Sequence, residues 1–325
     1  GPFLQLPHTT HRRFRGIEID NYLSNQLSLV QICIETLLAV PSFAIYIFLF
    51  RSYIIRKPRI LNDSFFTLYL VSAALSMAFF FINLIFMRIP GVGLFCDSIM
   101  HSSLSEPTYL LSIPYFALYY LPYAMIFSNI AISLNRMCSV LLVNDFVQYW
   151  VYLTPIAVLL IFILPLPLCW HLLISPGYYS DVANGIGLNY VKVITYPKNS
   201  LISLIFYLSS AGIVTASTVI TALRMTQMVK RHKKSEVSLL LVGALQSFGT
   251  LLMAAHALYM YNYFSEFLYQ KRFVIVDYQC FCPAWTLLLL SVNVRKELRR
   301  SILNKSNAVK SSFGKGPSKV SLNDH

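Results

Sequence analysis

The sequence predicts an all-α integral membrane protein: a seven-transmembrane helix bundle with its N-terminus outside, its C-terminus cytosolic and a short amphipathic helix after span seven. Three observations predict it. First, 56% of the 325 residues are hydrophobic and only 12% are charged, against about 25% charged in an ordinary soluble domain; mean hydropathy is +0.60, so there is more apolar surface than a soluble core can hide. Second, apolar runs of the length needed to cross hydrocarbon, about 20 residues, recur seven times. Third, Lys and Arg gather in alternate connecting segments, which orients a chain with its basic loops in the cytosol.

The spans fall at 27–50, 65–87, 108–143, 152–174, 201–223, 237–263 and 273–292. The third is long enough to tilt or to protrude into the cytosol. The fourth is interrupted by Pro155, Pro165 and Pro167, which lipid-embedded helices tolerate when neighbours satisfy the freed carbonyls. Basic residues follow span one (Arg51, Arg56, Lys57, Arg59), span five (Arg224, Lys230, Arg231, Lys233, Lys234) and span seven (Arg295, Lys296, Arg299, Arg300). The excess on that side places the C-terminus inside and, with seven spans, the N-terminus outside.

The expected organisation is an extracellular N-terminal arm (1–26), the seven-helix membrane domain (27–292), an amphipathic juxtamembrane helix (293–304) and a disordered cytosolic tail (305–325). Val294, Leu298 and Ile302 recur every four residues among basic ones, the pattern of a helix lying on the inner leaflet. The tail is polar and Ser-rich. The net charge of +13 does not point to nucleic acid, which requires a soluble basic face; flanking apolar runs, it suits anionic inner-leaflet lipids. The six cysteines, Cys33, Cys96, Cys138, Cys169, Cys280 and Cys282, fall mostly inside apolar runs. They read as small core residues, and no spacing implies a metal or cofactor.

Asn135 and Arg136 stand near the cytosolic end of span three. Two readings are open: Arg136 snorkels to lipid phosphates, or it is a conformational latch that pairs within the bundle and is released to line a crevice for a cytosolic partner. The surrounding "SLNRMCSVL" (133–141), with "PSFAIYIFLF" closing span one, "NDSFFTLYLVSAAL" opening span two and "CPAWTLLLLSVNVRKELRR" closing span seven, resembles the serpentine receptor class gamma family of nematode chemoreceptors over nearly the whole chain. The resemblance implies a seven-helix receptor in a sensory neuron's membrane, coupled to a heterotrimeric G protein. Asn144 and Asp145 stand where that family typically carries Pro and basic residues. There is no Asp-Arg-Tyr at the end of span three, no Asn-Pro-x-x-Tyr at the end of span seven, and no Cys in 175–198 to pair with Cys96, which argues against opsins and amine receptors.

Topology gives each polar residue a depth. In the outer half lie Gln31 and Glu35, four apart on one helix face, with Asn83, Tyr115, Tyr119, Tyr207, His256, Tyr259 and Asp277. Aromatics with a few polar anchors suit a small organic ligand, odorant or pheromone-like; singly, each residue also suits interhelical packing. On the cytosolic side Asn135, Arg136, Arg224, Lys230, Arg231 and Arg295 are the expected G-protein-coupling residues. The alternative is a ligand-gated ion channel or membrane transporter, which calls for intramembrane charges along one pathway. Enzyme chemistry is not expected: His-Glu-x-x-His, Gly-x-Ser-x-Gly and P-loop motifs are absent.

Overall fold

The computed structural model describes residues 13–56, 64–92, 99, 102–142, 146–182, 185–194, 199–227, 233–263, 266–290 and 294–295. Among the described residues, eight helices of at least eight residues and one hairpin form the frame: α1 (Arg13–Arg51), α2 (Ser64–Asn83), α3 (Ser112–Leu141), α4 (Phe146–Ile163), α5 (Leu166–Leu173), β1 (Gly177–Val182), β2 (Gly185–Tyr190), α6 (Asn199–Gln227), α7 (Lys233–Asn262) and α8 (Glu266–Leu290). Among the described residues, six segments are long and apolar enough to cross a membrane: Leu29–Ile54, Ser64–Gly91, Tyr109–Leu141, Gln148–Leu173, Asn199–Gln227 and Leu240–Asn262. The seventh expected span corresponds to α8, which packs against α7, α1 and α2.

The helical backbone of α1 starts at Arg13, inside the segment expected to be an arm. The expected amphipathic helix and tail lie outside the described residues, apart from Val294 and Arg295. The fourth span is divided as its prolines dictate: α4 stops at Ile163, and α5 restarts with Pro165 as its N-cap and Pro167 in its first turn. A helix end leaves carbonyls without intrahelical donors; at this break the Tyr120 hydroxyl donates to the Phe162 carbonyl at 2.8 Å.

α2 does not end at Asn83. It widens into a π-helical turn, Leu84–Arg88, in which the Ile89 N–H reaches back to the Leu84 carbonyl, and then runs on through Ile89–Gly91. The wide turn lies where Pro90 has no N–H to give to the residue four before it. That residue is Phe86, and the Tyr179 hydroxyl donates to its carbonyl at 3.2 Å. Burial pushes the Tyr179 pKa from 10.0 up to about 12, so the hydroxyl keeps its proton well above neutral pH.

Tyr179 belongs to the antiparallel pair β1–β2, in register from Gly177↔Tyr190 to Val182↔Gly185. The all-α expectation is corrected here. The hairpin folds over one end of the bundle, burying Tyr179, Ile186 and Leu188. It is tied to the approach to α3 by paired backbone bonds between Thr108 and Gly177, 2.8 and 3.0 Å. Only glycine fits at 177: an added Cβ would stand 2.9 Å from Leu111 Cβ and 3.0 Å from the Leu111 carbonyl carbon.

The core runs through the middle of the bundle and is rich in aromatics. Tyr46, Tyr69, Tyr123 and Phe65 are wholly enclosed. Tyr46 donates to the Cys280 carbonyl at 2.7 Å, and the Trp285 indole donates to Ser42 Oγ at 3.0 Å, so α1 and α8 are joined by two polar contacts. Large apolar side chains such as Leu37, Val40, Val151, Ile205 and Leu289 point outward and are more than half exposed, as expected of helices whose outer faces meet lipid rather than water.

Candidate functional site

Two polar regions lie near the hairpin end of the bundle, and a third lies at the opposite end. The first is a buried ionic cluster. Arg88, on the last residue of the π-helical turn, is 3% exposed. Its Nη1 donates to Glu35 Oε2 on α1 and, at 2.9 Å, to Asp277 Oδ2 on α8, while its Nη2 donates to Asp277 Oδ1 at 2.5 Å. With its amide turned so that the oxygen faces the guanidinium, Asn83 accepts from Arg88 Nε and Nη2 at 3.0 and 3.2 Å. Gln31 Nε2 donates to the other Glu35 oxygen at 2.7 Å. The rings of Phe80 and Phe273 flank the guanidinium at 5.6 and 5.1 Å from its carbon.

The cluster therefore joins three helices. Arg88 is placed inward by the π-helical turn, which carries α2 past the point where its apolar run ends. The two carboxylates gain a planar, bidentate partner whose fork matches their geometry. A buried charge left alone is costly, whereas a paired and hydrogen-bonded one is tolerated.

The second region is a central cavity of about 190 Å³ beneath the hairpin. It is lined by Phe79, Asn83 and Met87 of the α2 segment, Tyr115, Leu118 and Tyr119 of α3, Leu188 and Asn189 of β2, and Arg272, Phe273 and Val276 of α8. The Tyr115 hydroxyl donates to that of Tyr119 at 3.4 Å, and the Tyr115 ring lies 4.8 Å from that of Tyr190. The wall thus combines amide, phenol and guanidinium groups with flat apolar faces.

Of the residues expected to share one ligand site, Asn83, Tyr115 and Tyr119 line this cavity, while Gln31, Glu35 and Asp277 belong to the ionic cluster beside it; Asn83 bridges the two. Tyr207 is buried next to Tyr123, ring centroids 5.9 Å apart. His256 is half-buried on α7. Tyr259 is 47% exposed with its ring 5.4 Å from that of Tyr263, and neither His256 nor Tyr259 lines the central cavity. Sequence reasoning missed Arg88, Arg272 and the hairpin residues. A partial signal for the hairpin was present: Asn-Gly dipeptides favour hairpin turns, although Asn184-Gly185 is out of step with the register, which pairs Gly185 with Val182.

The third region is at the far end of α3. Asn135 is 1% exposed and donates from Nδ2 to Ser64 Oγ at 2.8 Å. The Arg136 guanidinium carbon lies 3.6 Å from the centroid of the Phe65 ring, a close cation–π contact. Phe65 and Arg136, with Ser133 and Val140 of α3, Thr221 and Met225 of α6 and Leu240 and Gly243 of α7, enclose a void of about 20 Å³, too small for anything but water. Nearby, Thr218 of α6 and Ser247 of α7 share a hydrogen bond of 2.9 Å. Arg224 is exposed and donates to Gln227 at 2.9 Å. Arg295 is exposed and donates to the Leu289 carbonyl. Lys230 and Arg231 lie outside the described residues. Among the described residues no group of three or more His, Cys, Asp or Glu is arranged to hold a metal ion.

Comparison with known proteins bears on what these regions are for. The family model for the Srg family chemoreceptors matches residues 32–298. The chain belongs to the Srg chemoreceptor family. Among curated proteins of Caenorhabditis elegans, this Srg-family chain is 29% identical to serpentine receptor class gamma-3 over 274 residues, covering 81% of each. It is 25% identical to serpentine receptor class gamma-15 over 272 residues, covering 79% of this chain and 82% of the relative. To serpentine receptor class gamma-17 it is 31% identical over 182 residues, and that match spans just over half of each protein, 55% of this chain and 56% of the relative. Family membership and the repeated apolar helices together make it a multi-pass membrane protein. The matched segment contains the whole cavity wall, the Asn135-Arg136 pair and every member of the ionic cluster but Gln31.

Proposed function

We propose that this Srg-family chain is a chemosensory G-protein-coupled receptor of the plasma membrane of a sensory neuron. In this reading α8 is the seventh span, the hairpin end faces outward and the Arg136 end faces the cytosol, as the basic segments require. A small organic ligand, odorant or pheromone-like, enters the central cavity beneath the hairpin and contacts Asn83, Tyr115 and Tyr119. A heterotrimeric G protein engages Asn135, Arg136 and the basic ends of α6 and α8, beside anionic inner-leaflet lipids.

The observation that carries the reading is the pairing of a polar, aromatic cavity at one end of the bundle with a nearly closed crevice around Arg136 at the other. Such an arrangement is a resting state. A ligand shifts it toward an open crevice only by binding the open state more tightly. A channel or transporter is less well supported: Glu35, Arg88 and Asp277 pair with one another in a single cluster instead of lining a path through the bilayer.

The test is expression with a promiscuous G protein and a screen of volatile and pheromone-like compounds. Leu118→Trp, which projects an indole into the cavity, is expected to reach the cell surface and lose the ligand response at least tenfold in potency. A fully responsive Leu118→Trp receptor would move the ligand site elsewhere.

A further inference from the structure

Behind the ionic cluster, on the outer face of the bundle, α1 and α8 part to leave a crevice of about 670 Å³. Small-molecule sites run to roughly 300–1,000 Å³. Each helix contributes one face. Ile34 and Leu38 lie four apart on α1, and Val274, Phe281 and Trp285 recur at helical spacing on α8. Val30, Ile34, Leu38 and Val274 are each at least half exposed, so the crevice opens sideways, toward lipid, rather than toward either end of the bundle. Its wall is apolar along its length and polar at one place, where Gln31, Glu35 and Asp277 reach it.

Among the described residues, that polar place is short of positive charge. Two carboxylates share one guanidinium, which leaves the cluster one formal negative charge in a setting where an unpaired charge is expensive. Arg272 lines the central cavity and not this crevice. A cation that arrives with a hydrocarbon body would complement it. We propose that the crevice is a second, membrane-accessible binding site for a lipophilic amine: a hydrocarbon chain lying along Ile34, Leu38, Phe281 and Trp285, with a protonated amine head donating to Glu35 and Asp277. The site depends on α1 and α8 lying in a bilayer; it does not depend on the occupant of the central cavity or on G-protein coupling.

Trp285 stands in the crevice wall and is 36% exposed, so it serves as a reporter. The full chain carrying Trp150→Phe and Trp170→Phe, placed in nanodiscs of neutral lipid, leaves Trp285 as its only tryptophan. Titration with bromoundecylamine near neutral pH is expected to quench its fluorescence saturably, with binding about tenfold weaker in Glu35→Gln. That variant keeps the Arg88–Asp277 pair and so a balanced charge. Bromoundecanoic acid, of the same chain and opposite head charge, should give only the unsaturable quenching of an amphiphile dissolved in lipid. Ile34→Phe narrows the crevice from its lipid-facing side without touching the cluster and should abolish the saturable phase, which keeps the test open if Glu35→Gln fails to fold. Equal quenching by amine and acid, no saturable phase, or saturable binding unchanged by both substitutions would overturn the proposal. None of these readings involves signalling, so they stand apart from the fate of the receptor reading.

Discussion

Arg88→Met is expected to destabilise the protein by about 3–5 kcal/mol, the cost of leaving buried carboxylates without their partner. Glu35 and Asp277 are 8% and 6% exposed, so neither can turn to water, and Met fills much of the aliphatic volume of the lost side chain. Since whole domains are stable by only about 5–15 kcal/mol, the variant should be retained before reaching the cell surface, and in detergent it should melt well below the parent. The control is the triple variant Arg88→Met, Glu35→Gln, Asp277→Asn. With no charge left to bury, it should recover most of the lost stability. Surface expression and thermal denaturation measure both. A single variant as stable as the parent would mean that the cluster is hydrated or mutually uncharged.

Phe65→Leu is expected to raise ligand-free signalling. The Phe65 ring under the Arg136 guanidinium belongs to the nearly closed crevice, and a cation–π contact of a half-buried guanidinium contributes about 1 kcal/mol. Removing it from the resting state alone shifts the closed-to-open ratio by about fivefold. Leucine keeps apolar contact with Phe66 and Tyr69, whose rings lie 5.4 and 6.0 Å from that of Phe65, so the fold should survive. Adding Arg136→Ala should return signalling to background, because the same guanidinium is then missing from the surface proposed to meet the G protein. Second-messenger level at matched surface expression is the measurement. Unchanged basal output in Phe65→Leu would return Arg136 to the snorkelling reading, in which it anchors to lipid phosphate.

Much of the architecture was legible in the sequence because a bilayer imposes a length and a polarity on each span. The break in the fourth span was legible too, since Pro165 and Pro167 remove N–H donors. What was not legible depends on pairing. Glu35 and Asp277 stand out as acids in apolar runs, but Arg88 follows an apolar run and precedes Pro90, so it reads as the first loop residue. Only the π-helical turn keeps it in the helix and turns it inward, toward partners 53 and 189 positions away in the chain. Tyr259 shows the converse. Its depth was readable, but which face of α7 meets the cavity is set by how the helices are rotated against one another. The hairpin was overlooked because its strands are short and Gly-rich, and its two glycines in β2, Gly185 and Gly187, blur the alternation that Ile186 and Leu188 would otherwise display.

Placing the cavity outside and Arg136 inside is the claim on which ligand detection and signalling both rest. Its most direct test is membrane-impermeant thiol labelling of two single-cysteine variants, in a background where all six native cysteines are replaced. Lys192→Cys follows the hairpin, Gln227→Cys ends α6, and both positions are exposed. The account predicts that Lys192→Cys is labelled on intact cells and Gln227→Cys only after permeabilisation; the reverse pattern, or labelling of both on intact cells, would contradict it.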